Sequence, residues 1–414
     1  MKMASVLYIV GRYPSITETF IHNEIEQLQR KGVNISILSV THKCLRKHGQ
    51  VESNYISILK NIYFLLVLPF AHVWILYKYN TAYRRLLQQI LKEKEKNRKL
   101  QLKSLISASV FVFLLRKNHF ELIHAHFINS PSFIGIFMSE FIKKPFSCTA
   151  HANDIYLSGK ESIKYVYDKA SFMVTCTAFN KTHIEKTLEA GHLEKLYHIY
   201  HGIDLETWRN NKPTRITDPN HKVKILSIGR LVPKKGFHIL LNALKMIRNE
   251  NSKFECLIIG DGHLRGSLNE QIISGGMTEY VRIEPSLPNK DLKSFYECFD
   301  IFVLPCIQTE NGDIDGLPNV LLEAMAMGLP IISSMLSAIP ELVEHNHSGL
   351  LIKSGDATAL KDALLLLFKS ESMRTALSEN GRLQIKKFGI EQSINQLEIL
   401  IKNHIKNHIS STFM

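Results

Sequence analysis

Twice along the chain, short apolar runs alternate with segments of helical periodicity, and the series breaks and restarts near residue 205. In the first half, residues 6–10 read as a strand and a helix follows from about 17 to 31. VNISILSV, after Gly32, is the next strand, and ELIHAHF, PFSCTAH, FMVTCTA and KLYHIYHGID continue the series. The second half opens with KVKILSIG and a helix over about 236–247. FECLIIG, YVRIEP, DIFVLPC, GLPIISS and SGLLI then follow, separated by helices. Wholly apolar strands spaced by helices demand a parallel sheet covered on both faces, because each crossover lays a helix on the sheet. The fold class is therefore α/β, with two doubly wound domains and ligands at the carboxyl ends of the strands. Ser15 and Glu18 have the S-x-x-E spacing of a capping box at the first helix.

At 414 residues, each half is long enough for its own core. The six cysteines, Cys44, Cys148, Cys176, Cys256, Cys298 and Cys306, contain no C-x-x-C pair, and most sit in apolar runs. That pattern suits a reducing compartment and argues against disulfides or a zinc site. The opening MKMASVLYIVGRYPS has one early lysine and an apolar run too short for a signal-peptide core, so the expected location is cytoplasmic.

The net charge of +13 is lopsided. Residues 1–210 hold 28 Lys/Arg against 16 Asp/Glu, whereas residues 211–414 hold 23 against 22. An excess confined to one half describes that half's partner. Much of it lies in the one region that departs from the alternation. Residues 56–77 read ISILKNIYFLLVLPFAHVWILY, and residues 78–103 follow with nine Lys/Arg and two Glu. The apolar part, interrupted by Pro69 and His72, falls short of the roughly 20 residues a spanning helix needs. Two readings stay open. The segment packs on the first domain as amphipathic helices, or it is a monotopic insert. In the second case Phe64, Phe70 and Trp74 dip into the interface and the basic helix meets an anionic membrane surface. No motif accompanies the charge that would indicate nucleic acid.

DGLPNVLLE, residues 315–323, carries a constellation of its own. Gly316 allows close approach of a ligand, and Pro318 suits the first turn of a helix. The backbone N–H groups of Leu317, Asn319 and Val320, around Pro318 with its missing N–H, then lie at a helix start, which attracts phosphate. Asp315 stands before that start, and Glu323 is about 8 Å further along. Carboxylates bind hydroxyls well, so the spacing fits a ligand with a central diphosphate and a polyol at each end. In SIGRLVPKKG, residues 227–236, a strand ends at Gly229, and Arg230 and Lys235 follow as cations at its carboxyl end.

GRLVPKKG, then DGLPNVLLEAMAMGLPII and IPELVEHNHSGLLI, resembles the donor domain of a family 4 glycosyltransferase, retaining and with the GT-B fold. HGIDLETW resembles that family's stretch at the end of the first domain. RYPSITETFIHNEI and CTAHANDIY resemble the branch that makes bacterial exopolysaccharides and colanic-acid-type polymers. The resemblance implies an acceptor domain over 1–207 with an insert over 56–104. A nucleotide-sugar donor domain spans 208–390, and the helix at 391–414 packs back toward the first domain, with the two sheets facing a cleft. It implies that Arg230 and Lys235 bind the diphosphate, and that Asp315 and Glu323 are the paired acids at the sugar and the ribose. Asp stands where the family has Glu first. His126 matches the family's histidine at the sugar. His151, Asp154, Glu18 and Thr19 would line the acceptor side, and Ser286 and Leu287 the base. His124 is expected to point away from His126.

The expected function is transfer of a hexose from a UDP- or GDP-sugar to a lipid-linked oligosaccharide in surface polysaccharide synthesis, whether exopolysaccharide, capsule or lipopolysaccharide. No metal or other cofactor is expected. A catalytically weak scaffold and a sugar-nucleotide epimerase are the alternatives. Three patterns are set aside. D-x-D at 313–315 imitates a metal motif, GDGHLRG at 260–266 imitates a dinucleotide fingerprint, and IKNHIKNH near the end spaces two histidines for a metal.

Overall fold

The structure is a computed structural model that describes residues 4–15, 18–41, 54–57, 62–210, 222–248 and 253–412. The chain forms two compact units, Met1–His201 with Glu391–Met414, and Gly202–Ile390.

Unit 1 is built on a parallel sheet of β1 (Ser5–Val10), β2 (Asn34–Ser39), β3 (Asn54–Ser57), β4 (Leu122–His126), β5 (Phe146–Ala150), β6 (Phe172–Thr175) and β7 (Leu196–His198). Their order is β3-β2-β1-β4-β5-β6-β7. Unit 2 has β8 (Val223–Ile228), β9 (Phe254–Ile259), β10 (Val281–Glu284), β11 (Ile301–Leu304), β12 (Ile331–Ser334) and β13 (Leu350–Ile352), in the order β10-β9-β8-β11-β12-β13. All the described pairings are parallel. Val6 to Val10 are fully buried, as a strand with helices on both faces must be. Each sheet grows one way from its first strand and then the other, which puts a switch point between β1 and β4 and another between β8 and β11. Loops leaving those four strands diverge and open a crevice there.

The first helix, α1 (Thr19–Arg30), has Glu18 at its N-cap, where the S-x-x-E spacing places Ser15. Its expected first residue, Thr17, lies outside the described residues. Strand β3 was not apparent in the sequence; it takes residues 56 and 57 from the apolar segment.

The remainder of that segment forms α2 (Ile62–Leu91), kinked at Tyr79, and α3 (Glu95–Leu114). No described helix is long and apolar enough to cross a membrane. Trp74 does not point outward as an interface anchor. It packs edge-on against Tyr79 and Phe113, at ring distances of 5.7 and 5.6 Å. Phe70, Val73 and Tyr77 on the same helix are exposed; the Phe64 side chain lies outside the described residues. From Glu391 on, the last helix, Ile390–Thr412, belongs to unit 1. Its histidines are spent on packing: His404 lies on Phe172, and His408 Nε2 is 3.2 Å from Lys143 O.

Candidate functional site

In unit 2, β8 ends at Ile228, and the chain turns through Gly229 and Arg230 into a 3-10 turn, Pro233–Lys235. Gly236 closes the turn with φ of +70°, and a Cβ there would lie 1.9 Å from Pro305 O. Only glycine lets this loop pass the end of β11. Gly260 and Gly262 have the same kind of reason. Cβ atoms on them would meet Gly229 O at 1.9 Å and Leu231 O at 2.3 Å, so GDGHLRG packs against the 229–231 backbone.

This close approach sets two lysines against two acids. Lys234 Nζ lies 2.8 Å from Asp313 Oδ1 and 3.2 Å from Asp315 Oδ1. Lys235 Nζ lies 2.6 Å from Asp315 Oδ2. Burial works against the charge on both Lys235 and Asp315, but each outweighs that cost for the other. The lysine is held above its ordinary value and, with help from Lys234, the acid below its own. The D-x-D pair thus shares a lysine. Lys235, expected as a diphosphate cation, already has a carboxylate partner here. Arg230 is exposed on the same loop.

Gly316, Leu317 and Pro318 lead into the helix Asn319–Ala326. Pro318 is its N-cap, φ −65° and ψ 124°, one position before the first turn where it was expected. Glu323 is buried on that helix and accepts a 2.8 Å hydrogen bond from Tyr296 Oη. Burial pushes its carboxyl up to about 7, against hydrogen bonds from Tyr296 and Asn289 that pull it down. Ser286 donates from its backbone N (2.9 Å) and its Oγ (2.6 Å) to Asp261 Oδ2, so that N–H is committed within the protein; Leu287 is half-buried beside it.

Unit 1 gathers a second set at the carboxyl ends of β4 and β5. His124 and His126, two apart on a regular strand, share a face, with rings 5.2 Å apart. The expectation that His124 points away is therefore wrong. His124 sits between Ser147 Oγ (2.8 Å) and Thr149 Oγ1 (3.0 Å). Glu24, from α1, receives the Tyr8 hydroxyl at 2.9 Å and lies 3.3 Å from His126 Nε2. On its other side, His126 Nδ1 is 3.1 Å from His151 Nε2. Burial would raise the Glu24 carboxyl, but the histidines and Tyr8 overcome it and hold it at about 2. His126 thus sets Nε2 toward an ionised carboxylate and Nδ1 toward His151 Nε2. The His151 side chain faces the Asp154 N–H in a reciprocal cap whose other half is the Asp154 carboxylate on the His151 N–H.

Burial keeps His151 well below its ordinary value and His201 at about 4, so both are neutral near pH 7. His201 stacks on Phe20 at 4.2 Å and on His151 at 5.1 Å. Asp154 is buried and accepts from the backbone of His151 (2.8 Å) and of Ile128; burial raises it to about 7 against those bonds. Glu18 and Thr19 are half-buried at the start of α1.

Among the described residues, two sets have metal-ligand atoms within 4.8 Å of one another: Glu24, His124 and His126, and His151, Cys176 and His201. In each set at least one ring nitrogen already faces another group, His126 Nδ1 and His151 Nε2 facing each other at 3.1 Å. Sequence reading missed Glu24, His201, Lys234 and Tyr296. Only Lys234, beside Lys235 in KKG, carried a signal, and loop residues have no periodicity to say which lysine turns inward.

Residues 209–384 match the family model described as glycosyl transferases group 1. The amylovoran biosynthesis glycosyltransferase AmsK of Erwinia amylovora is 40% identical over 159 residues, 38% of this chain and 39% of that protein. The match thus spans about two fifths of that relative's length. Among solved structures, a glycosyltransferase from Rickettsia africae superposes with a TM-score of 0.73 at 16% identity, covering 98% of this chain and all of that one. Anabaena Alr3699/HepE, solved in complex with UDP, gives 0.68 at 15% identity over 97% of this chain and 100% of its own.

Proposed function

We propose, from the match of residues 209–384 to the group 1 glycosyl transferases and from the GT-B fold, that the chain is such an enzyme and moves a hexose from a UDP- or GDP-sugar to a lipid-linked oligosaccharide. The anomeric configuration is retained, and the product is a bacterial surface polysaccharide. The observation that carries this reading is the pair Lys234 and Lys235 facing Asp315 just before a helix start, with exposed Arg230 on the same loop as the lysines and buried Glu323 beyond. Cations and helix N–H groups suit a diphosphate, and acids on either side suit hydroxyls. A diphosphate entering here offers Lys235 a second anion, freeing Asp315 to bind a sugar hydroxyl. Glu323, at about 7, is able to donate to or accept from a ribose hydroxyl.

As the glycosidic bond to the leaving phosphate breaks, the cations and the helix start stabilise the charge that develops on it. The leaving oxygen takes the acceptor hydroxyl's proton while the acceptor oxygen bonds the same face of the sugar. Unit 1, with His126, His151, Glu18 and Thr19, is assigned the acceptor. The amylovoran relative supports a polysaccharide product, and the UDP complex of the Anabaena protein supports a nucleotide in unit 2. Peripheral binding to an anionic membrane from the cytoplasmic side is supported by the basic first half and by Phe70, Val73 and Tyr77, which are 70%, 68% and 89% exposed.

The test is calorimetric binding of UDP and GDP to the wild type and to Arg230→Ala. Micromolar binding of one nucleotide, lost in the variant, is expected. Folded protein that binds neither overturns the reading.

A further inference from the structure

A crevice of about 190 Å³ lies among α2, α3 and α4 (Ser130–Ile142) of unit 1; His119 lines it, and His124, His126, His151 and His201 do not. Trp74, Phe120, Met138 and Ile142 give it apolar walls, and Lys78, Arg116 and Lys144 also line it. None of the lining residues is acidic. Lys78 Nζ lies 4.9 Å from the Trp74 ring centroid and Arg116 lies 4.3 Å over Phe113, so aromatic faces hold two of the cations. Among the described residues, none of the three cations is in an ion pair with a carboxylate.

We infer that this crevice binds the phosphate-bearing end of a membrane lipid. Three cations without a counter-charge repel one another and favour an anion. A free phosphate would leave the apolar walls unused, and an uncharged chain would leave the cations unused. Whole small-molecule sites run to roughly 300–1,000 Å³, so this crevice takes the head and first methylenes of a longer molecule. Exposed Phe70, Val73 and Tyr77 on α2 offer the rest of the chain an apolar surface. The inference rests on the reading of unit 1 as the acceptor and membrane side, and is independent of nucleotide binding in unit 2.

The chain has two tryptophans, Trp74 and Trp208. Trp208→Phe therefore leaves Trp74 as a reporter in the wall of the crevice. Titration with decyl phosphate below its micellar concentration is expected to change Trp74 fluorescence saturably. Decanol and inorganic phosphate should each bind at least tenfold more weakly, and this comparison needs no crevice variant. Lys78→Gln with Lys144→Gln should weaken decyl phosphate at least tenfold, with UDP or GDP binding unchanged in calorimetry. Equal binding of decanol reduces the crevice to an apolar gap, and equal binding of inorganic phosphate to a plain anion site; either overturns the inference. Protein that binds nucleotide but gives no Trp74 response to decyl phosphate overturns it too, leaving the donor-site reading intact.

Discussion

Lys235 Nζ stands 2.6 Å from Asp315 Oδ2 while Lys234 Nζ stands 3.2 Å from Oδ1, so each oxygen of one carboxylate has its own lysine. The pairing joins the loop after β8 to the loop after β11 across the switch point of unit 2. A single acid thus holds together the two segments assigned to the donor.

Asp315→Ala leaves Lys235 buried without its carboxylate, and Lys235→Ala leaves Asp315 with Lys234 as its remaining lysine. Lys235→Ala and Asp315→Ala should each cost about 3–5 kcal/mol, and the double variant clearly less than their sum. Asp315 is held below its ordinary value, so its contribution is complete above about pH 4 and is lost as pH falls further. Lys235 is held above its own, so its contribution is complete below about pH 10 and is lost above. Urea unfolding of the four proteins measures the coupling; strictly additive costs would show that the pair is not an energetic unit.

Glu323 behaves in the opposite sense from Asp315. Its folded value of about 7 lies above the ordinary range, so the unfolded chain gives up this proton first as pH rises. Stability should fall between about pH 4 and pH 7, by on the order of 3 kcal/mol for a shift of this size. Glu323→Gln should remove its share of that slope, leaving the share of Asp154, also raised to about 7, while keeping an acceptor for Tyr296. Denaturation midpoints from pH 4 to 8 decide it; an unchanged slope in the variant assigns the dependence elsewhere.

The glycines divide sharply. Gly236→Ala forces a Cβ to 1.9 Å from Pro305 O at a φ of +70° and should cost about 3 kcal/mol or more. Gly266→Ala, in the helix Arg265–Ser274 with nothing within 4 Å, should gain about 0.5–1 kcal/mol. Melting temperatures of the two variants should move in opposite directions.

Glu24 sets an ionised carboxylate 3.3 Å from His126 Nε2. Glu24→Gln should lower sugar transfer at least tenfold and leave nucleotide binding in unit 2 unchanged. Glu24 is held at about 2, so its stabilisation is present above about pH 4 and lost as pH falls toward 2; the variant should lack that acid limb. Full transfer activity in Glu24→Gln would remove the histidine chain from the reaction.

The strand series of both sheets was legible because burial on both faces leaves a mark in every residue, as in residues 6–10. Arg230, Lys235, Asp315 and Glu323 were legible as candidates because each sits at a fixed distance from a strand end or helix start. Strand β3 was not, since four edge residues have too little apolar pattern to stand out. Sequence spacing could not decide which lysine meets which acid, that Glu323 meets Tyr296, or that Glu24 lies beside His126. Those partners are 27 to 102 residues apart, well beyond local periodicity, and they meet only because parallel sheets bring distant strand ends to one edge. The sequence by itself determined the doubly wound units and the residues at their switch points. The tertiary structure decided which charges neutralise which, because pairing depends on burial and distance.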